Sequence, residues 1–530
     1  MRRLGILLLF LICPPLRAQY TPIPDPHFEQ YLIDRGLDPD NTINGQVLTA
    51  AIDTVKVLDL RQADLALRSI EGIGDFTALE YLYIDNKIID TVRLNNNLHL
   101  KGFSAWGTLM SFLDLSRNDS LISLNLRFAG LLQQSSHITL DISHLHQLDT
   151  LITGSNFFDI TGLSRNTRLR FLVYSNTDYN DMAGYYNQLD TLDLSANTRL
   201  EHLELNFIPI GHLVLPPAPN LRFLELADQD FTSIDLAPYP HLQHLSMLHN
   251  TRLTSIDVTH NPELVYLNVN KCRLTGIDLT HNPILQELVL GQWWSWGSIP
   301  HDEENNHFAA PPDLHANPQL RRLFVEGIGI DALDLSGNPD LQVLFAAHNN
   351  LTGLDLQANT HLVSLLVGGN PLDSLDLRAQ TQLRYLHCDS TALRILDLRN
   401  GNNRNMTGFS ALGNPQLHCI LVDDASWSQT HWTNVDPAGH FVETEDECAQ
   451  YAVPEISRRW RLYPNPVSHT LHLIPPPGYE IQSVEISNST GQLTGKHYGN
   501  EIVFDNLPAG VYFLRIHANG KMFRAKVVKE

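Results

Sequence analysis

Two repeated phrases between residues 333 and 400 limit most strongly what this chain can form. An apolar-Asp-apolar phrase recurs every 21 residues, at 333–335, 354–356, 375–377 and 396–398. Between its copies runs a Leu-x-x-Leu-x-apolar phrase with the same spacing, which begins at Leu341, Leu362 and Leu383. A fixed period of this length predicts a solenoid, in which stacked coils bury a continuous apolar core.

Both phrases alternate apolar and polar residues, as a strand with one buried face does. A coil of 21 residues has no room for a full helix, so we expect a strand, a turn, a short extended or 3₁₀ arm, and another turn. The phrases recur through residues 58–416. They predict a mainly β solenoid of about 15 coils of 21–22 residues, with a parallel sheet on its concave face.

The Leu-x-x-Leu-x-apolar phrase is followed by Asn349 and Asn370, and this combination resembles the leucine-rich repeat. The resemblance implies that these asparagine side chains bond to backbone groups of adjacent coils. Asn250 and Cys272 occupy the same slot in earlier coils. Cys272 and Cys388 fall in inward-facing slots and are expected to be buried thiols.

The first 18 residues have the pattern of a secretory signal peptide: two arginines, an apolar run and a short polar end. The run is shorter than the ~20 residues that span a bilayer, and no other run is longer, so we expect no transmembrane segment. Cys13 would allow a lipoprotein signal instead, but Ile12 before it and the prolines after it disfavour that alternative.

Composition and motifs disfavour several functions. The formal net charge of −22 argues against nucleic acid and against an anionic membrane surface as partners. No Gly-x-Ser-x-Gly, phosphate-loop or His-Glu-x-x-His motif occurs, and we expect no cofactor. The cluster His301, Asp302, Glu303, Glu304 and His307 allows a metal site, but we favour a solvated loop.

Atypical segments flank the repeats. Residues 19–57 are expected to form an N-terminal cap with a short helix that buries Phe28, Leu32 and Ile33. Residues 417–448 are expected to form a C-terminal cap, in which export permits a disulfide between Cys419 and Cys448, and residues 449–460 form a linker. The Ile-Pro-Asp-x-x-Phe and Cys-Ile-x-Val-Asp phrases of the two caps are similar to those of secreted leucine-rich repeat proteins of the Bacteroidota.

Residues 461–530 lose the period and contain several short alternating strands, which predict a small Ig-like β-sandwich. The motifs Tyr-Pro-Asn-Pro and Leu-Pro-Ala-Gly-Val-Tyr in this segment, together with the terminal Lys-Val-Val-Lys, closely resemble the C-terminal sorting domain of the type IX secretion system. The motif residues are Tyr463, Pro464, Asn465, Pro466, Leu507, Gly510 and Tyr512. The resemblance implies recognition by that secretion machinery and export across the outer membrane, to the cell surface or the extracellular space.

Twelve of the outer arms, the apolar-Asp-apolar segments, carry an Asp between two inward residues: Asp59, Asp114, Asp141, Asp193, Asp235, Asp257, Asp278, Asp313, Asp334, Asp355, Asp376 and Asp397. Carboxylates stacked at the ~4.8 Å spacing of neighbouring strands repel one another. We favour an Asp that accepts backbone N–H bonds in the following turn. The alternative is bridging of the carboxylates by divalent cations.

A departure from the apolar–polar alternation of the strands indicates a binding site. In each strand, the residue between the last two inward positions should face the concave surface. In successive coils this slot turns apolar, next to aromatic and Arg residues and to the longest inserted loop. The candidate contacts are Val289, Phe324, Phe345, Leu366, Tyr266, Arg322, Tyr385, Trp293, Trp294 and Trp296. Such an exposed strip is typical of an interaction site. The alternative is that the loop covers the phenylalanines as a local core.

The repeats account for nearly every residue from 58 to 422 and leave no room for a catalytic domain. We therefore predict a secreted or cell-surface recognition or adhesion module, not an enzyme, whose ligand is an extracellular protein or polysaccharide. Two alternatives remain: a hydrolytic or metal-dependent enzyme with its site in the inserted loops, and a passive surface-layer protein.

Overall fold

The computed structural model describes residues 19–130, 138–154, 158–175, 189–208, 210–229, 231–292, 305–451, 460–475, 479–488, 492–519 and 521–530. The chain divides into two compact units. The first contains residues 1–393 and 400–414, and the second contains residues 394–399 and 415–530. The expected signal peptide, residues 1–18, lies outside the described residues.

A parallel sheet of 16 strands runs through the first unit. Its strands are Val57–Asp59, Tyr81–Tyr83, Gly102–Ser104, Ser123–Asn125, Thr150–Thr153, Phe171–Tyr174, His202–Glu204, Phe223–Glu225, His244–Ser246, Tyr266–Asn268, Glu287–Val289, Arg322–Phe324, Val343–Phe345, Ser364–Leu366, Tyr385–His387 and Gly408–Ser410. Each strand pairs in parallel with its neighbours. The predicted parallel solenoid sheet is confirmed.

Side-chain alternation explains why these short segments form strands. The second residue of each strand is a buried Leu or Phe, and these residues form the core column. The first and third residues point to the opposite side, which we call the outer face of the sheet. Equal spacing of the phrases brings first residues beside first residues and third beside third.

The other side of each coil is a short arm, as expected. Three pairs of arms form two-stranded parallel sheets: Thr91–Arg93 with Phe112–Asp114, Ile138–Asp141 with Phe158–Thr161, and Leu189–Asp193 with Ile210–Val214. Ser374–Asp376 is a further strand. The 3₁₀ turns are Leu60–Gln62, Ile73–Asp75, Leu163–Arg165 and Asn403–Asn405.

Asparagine side chains bond one coil to the next beside the sheet, as the leucine-rich repeat resemblance implied. The Nδ2 atoms of Asn250 and Asn349 donate to the carbonyl oxygens of Leu226 and Val325, each at 2.7 Å. Cys272, in the same slot, is buried, with its Sγ 3.2 Å from a backbone carbonyl oxygen. These bonds give the buried carbonyl groups of each turn a partner.

A second asparagine ladder runs through the arms, and the sequence reasoning missed it. Its members share one pattern, in which Nδ2 donates to two carbonyl oxygens of the preceding coil. They are Asn97, Asn118, Asn166, Asn197, Asn261, Asn282, Asn317, Asn338 and Asn359. All of them are fully buried. The arms are therefore joined by side chains where few backbone strand pairs form.

The N-terminal segment begins with strand Tyr20–Pro22, which pairs antiparallel with Gln46–Leu48. Helix Pro26–Asp34 lies between them, and helix Thr49–Ile52 follows. The Asp25 carboxylate caps the first helix by accepting from two backbone N–H groups. Phe28 and Leu32 are fully buried and Ile33 is half-buried, as expected for a helix that covers an apolar core.

The second unit starts with three parallel strands, Ile395–Asp397, Cys419–Leu421 and His440–Val442. Helices Ala425–His431 and Glu445–Tyr451 flank them. The predicted disulfide between Cys419 and Cys448 is confirmed, with its Cα atoms 5.5 Å apart. It fastens the last helix to the middle strand.

The last 70 residues form two antiparallel sheets. One contains Arg461–Tyr463, Thr470–Ile474 and Glu501–Val503. The other contains Ile481–Ser487, Leu493–His497, Gly510–Ala518 and Lys521–Lys529. They share a buried core that includes Leu471, Ile502 and Leu514, as predicted for a small β-sandwich.

Candidate ligand-binding face

The apolar strip predicted from the sequence is continuous in the sheet. Val289, Phe324, Phe345 and Leu366 are the third residues of successive paired strands. However, Val289 and Phe324 are each only 2% exposed, so the expected exposure of these two residues was wrong. Phe345 and Leu366 are half-buried.

Two residues of the predicted site cover part of Phe324. The Phe345 ring meets it edge-on with centroids 5.0 Å apart, and the Arg322 guanidinium lies 5.7 Å from its ring centroid. Arg322 is held there by the Glu287 carboxylate at 3.1 Å. The alternative, a local core covered by the inserted loop, stays open because residues 293–304 lie outside the described residues, and ligand binding by the other strip residues stays a prediction.

Two more candidate residues remain accessible. Tyr385 is 47% exposed and its ring lies over Gly408, where a Cβ atom would come within 2.5 Å of the ring. The Arg322 side chain keeps 49% of its exposure. Trp293, Trp294 and Trp296 lie outside the described residues, as do His301 to Glu304 of the possible metal cluster.

A column of five stacked rings occupies the outer face of the sheet, on strands that precede those of the apolar strip. These are the first residues of five successive strands: Phe171, His202, Phe223, His244 and Tyr266. Their centroids are 3.9, 4.0, 4.0 and 4.2 Å apart and their planes differ by 6–14°. We call this column the ring ladder. Of its members, only Tyr266 was a candidate from the sequence.

The ring ladder presents ring edges to the surroundings. All five residues are half-buried, and the His202 and His244 side chains keep 20% and 24% of their exposure. The faces of the interior rings are covered by their neighbours at the stacking distances above. Because the edge of an aromatic ring carries the positive part of its quadrupole, the accessible rim of Phe223 favours carbonyl and aliphatic contacts.

Carboxylates lie beside the ring ladder on the same strands. The Oε1 atom of Glu225 lies 2.8 Å from His244 Nε2, and its Oε2 atom accepts from Asn206 Nδ2 at 2.7 Å. Glu204 lies 4.0 Å from His202. In the turn that follows the strand of Glu225, the Oδ1 atom of Asp228 lies 2.8 Å from His249 Nδ1. The rings are thus bordered by oriented acceptor groups.

The charge of Glu204 is maintained by its surroundings. Burial raises the pKa of its carboxyl, but hydrogen bonds from His202 and Ser175 and the positive charge of Arg127 outweigh burial, so the pKa lies below its ordinary value. Glu204 is therefore negatively charged at neutral pH. A negative group beside apolar rings is suited to bind a cation with an aliphatic stem.

The arm aspartates bond to the backbone, as favoured above. In all twelve aspartates named above, Oδ1 accepts from the N–H two residues later at 2.8–3.1 Å. The expected place of Asp59 in an outer arm was wrong, because Asp59 ends the strand Val57–Asp59 of the 16-stranded sheet. Within the described ranges, no group of three or more His, Cys, Asp or Glu side chains is arranged to hold a metal ion. These carboxylates act as turn-forming groups.

Neither the Ser410, Asp389 and His387 group nor the free cysteines Cys272 and Cys388 are arranged for nucleophilic catalysis. Asp389 accepts from the Ser410 hydroxyl at 2.7 Å and lies 3.1 Å from His387 Nε2, and this pairing raises the pKa of His387. Since the carboxylate stands between serine and histidine, the imidazole is not placed to activate the hydroxyl. Cys272 and Cys388 are buried as expected, and burial raises the pKa of Cys272 to about 12, which keeps this thiol protonated.

The sorting-motif residues hold the C-terminal sandwich together. Asn465 accepts from the N–H of Val528 at 2.9 Å, which ties the Tyr-Pro-Asn-Pro segment to the last strand. Tyr512 is 4% exposed and its hydroxyl donates to the carbonyl oxygen of Pro508 at 2.7 Å. Leu507 packs against the same core, and Gly510 begins the long strand Gly510–Ala518.

Comparison with known proteins identifies the C-terminal segment. The family described as "Secretion system C-terminal sorting domain" matches residues 461–530, so the predicted sorting domain is confirmed. No curated protein sequence matches the chain. Among the described residues, no helix combines the length and the apolar character needed to cross a membrane.

Solved structures resemble the repeat array. The functional domain of InlJ from Listeria monocytogenes is 19% identical, over 97% of this chain and 99% of that chain, at a TM-score of 0.53. A leucine-rich repeat protein of Leptospira interrogans is 16% identical over 74% and 94%, at a TM-score of 0.47. The internalin InlF of Listeria monocytogenes is 17% identical over 74% and 98%, at a TM-score of 0.43. The first likeness, together with the repeat phrase, shows the fold of the array.

Proposed function

We propose that this leucine-rich repeat protein, which ends in a type IX secretion sorting domain, is a recognition or adhesion module that binds an extracellular ligand through the outer face of its sheet. The sorting domain directs export across the outer membrane, to the cell surface or the extracellular space. The ligand is a protein or a polysaccharide. The ring ladder is the observation that carries the proposal.

Aromatic residues on a solvent-facing sheet support this proposal. Phe223 and Tyr266 keep part of their surface exposed. A polar residue would be compatible with folding and solubility at these positions, so the aromatic side chains indicate a role in binding. Phe345, Leu366 and Tyr385 extend the apolar area along the same sheet. Apolar and aromatic area that is bordered by charged groups is typical of protein interaction surfaces.

An enzymatic function has less support. The His387, Asp389 and Ser410 group has the wrong order for nucleophilic catalysis. The cysteines of the array are buried. We therefore keep a hydrolytic enzyme and a passive surface-layer protein as outcomes of the test.

The test uses the full chain on arrays of extracellular proteins and polysaccharides. We expect saturable binding that Phe223→Ser and Phe345→Ser weaken. Leu98→Ser is the matched control, because Leu98 is 43% exposed and lies outside both the ring ladder and the strip. Binding unaffected by the first two variants contradicts the assigned face. No binding supports the surface-layer role, and product formation supports an enzyme.

A further inference from the structure

We infer that the ring ladder, with Glu204 and Glu225, docks an extended protein segment that presents lysine or arginine side chains. This inference rests on the proposed recognition function and assigns the class of its ligand. Three properties of the described residues lead to it: the stacking of the rings, the charge beside them and the length of the column.

Stacking excludes the usual way in which aromatic residues hold a sugar. A sugar ring lies with its C–H groups on the face of an aromatic ring. In the ring ladder, His202, Phe223 and His244 have a neighbouring ring on both faces at 3.9–4.2 Å. The end rings, Phe171 and Tyr266, pair in register with Thr150 and Glu287 on their other sides. The ladder therefore offers edges to a ligand and does not favour a polysaccharide.

The charge beside the ladder selects a basic ligand. Glu204 stays charged but already faces Arg127 and His202, so the acceptor capacity that remains for a ligand is argued from Glu225. Each oxygen of Glu225 makes one hydrogen bond, and a carboxylate oxygen accepts two, so both retain acceptor capacity. Lys or Arg donors would complete these shells with charge-assisted bonds. The net charge of −22 favours the approach of a basic partner at long range.

The aliphatic stems of such side chains match the ring edges. Lys and Arg lay their methylene groups along apolar surface while the charged end reaches a polar partner. Here Phe171 and Phe223 hold the first position, and Glu204 and Glu225 the third position, of three neighbouring strands, so the two columns lie about 7 Å apart along the strands. One side chain can therefore contact a ring edge and a carboxylate together.

The length of the column fits an extended segment. Five strands spaced by ~4.8 Å place the end rings about 19 Å apart, which an extended chain spans with about six residues at ~3.3 Å each. The rings form an unbroken line across these strands. A segment that crosses the strands therefore meets rings along its whole length.

The experiment selects ligands for the full chain from a displayed library of random 12-residue peptides and, separately, from a panel of neutral and acidic polysaccharides. We expect the selected peptides to be enriched in Lys and Arg and to bind more weakly as salt rises. Glu204→Gln with Glu225→Gln should weaken their binding by about tenfold or more. Phe223→Leu, which interrupts the column but keeps an apolar side chain, should weaken it as well.

The matched control is Glu201→Gln with Glu263→Gln. It makes the same change in charge at side chains that are 46% and 38% exposed and that pair with Arg170 and with Arg222 and His241. We expect this variant to bind the selected peptides as the unmodified chain does. Thermal melts of both variants establish that the array is folded, and the Phe223→Leu result stands by itself if the double variant is not.

Each other outcome overturns the inference in a different way. Peptides that bind equally well after the Glu204 and Glu225 changes show that these carboxylates do not recognise the ligand, and the proposed function stands. Polysaccharide binding that Phe223→Leu abolishes assigns the column to sugars, and the proposed function again stands. If neither library yields a ligand, the inference fails, and the protein and polysaccharide arrays decide whether the proposed recognition function stands.

Discussion

Asn338 donates from Nδ2 to the carbonyl oxygen of Asn317, one coil earlier, at 2.9 Å, and to that of Leu314 at 3.0 Å. Asn338→Ala should lower the free energy of unfolding of the array by about 1–3 kcal/mol, because two buried hydrogen bonds are lost, although each carbonyl oxygen keeps one backbone N–H donor. Chemical unfolding followed by circular dichroism measures the loss. Asn350→Ala is the control, since Asn350 is exposed and donates only to Gly329; equal losses in both variants would contradict the structural role of the arm ladder.

The arm aspartates should make the array sensitive to acid but not to calcium. The Ser116 hydroxyl and N–H lower the pKa of Asp114 below its ordinary 3.8. A lowered carboxyl pKa contributes stability above pH 3.8, and this contribution is lost as the pH falls through the folded-state value. Melts carried from pH 7 to well below pH 3.8 should show the loss, and Asp114→Asn should reduce it. A large rise of the midpoint with calcium, reversed by chelator, would instead support cation bridging.

Phe324 and Phe345 should respond differently to truncation. Phe324→Ala should cost about 3–5 kcal/mol, because this ring is 2% exposed and its removal leaves a cavity. Phe345→Ser should cost clearly less, because Phe345 is only half-buried. Thermal melts and limited proteolysis of the two variants compare these effects. Equal destabilisation would make the whole strip part of the core and remove Phe345 as a ligand contact.

Reduction of the disulfide should loosen the segment around it. Cys419 and Cys448 are 29 residues apart, and a loop of this size contributes about 3–4 kcal/mol in the chain-entropy model. Cys419→Ser with Cys448→Ser should therefore speed amide hydrogen exchange in helix Glu445–Tyr451. The sheet strands of the array provide the internal control. Unchanged exchange in the helix would mean that packing alone holds it.

Residues 461–530 should be needed for delivery but not for folding of the array. They have a core of their own that includes Leu471 and Leu514, and they match the sorting-domain family. Deletion of these residues should leave a folded array in the periplasm. Cell fractionation and surface protease treatment measure the location. Normal surface delivery of the truncated chain would contradict this role of the segment.

Spacing alone was enough to predict the coil period and the parallel sheet, because equal intervals place equivalent residues such as Leu344 and Leu365 side by side. The N-terminal helix and the disulfide also followed from local patterns. The exposure of Val289 and Phe324 did not, because periodicity gives the direction of a side chain but not what packs over it. The ring ladder was missed for a different reason. Its signal, Phe-His-Phe-His-Tyr, appears only when the first strand position is compared across coils.

The register of the sheet has a consequence for how this protein can change in evolution. Leu203, Leu224 and Leu245 pair directly with one another, and so do the rings beside them. Duplication of one whole coil would lengthen the sheet, the asparagine ladders and the row of rings together. A single inserted residue within a strand would turn its side chains to the opposite side and break all three. Heritable variation in the size of the binding surface is therefore expected in steps of one complete coil.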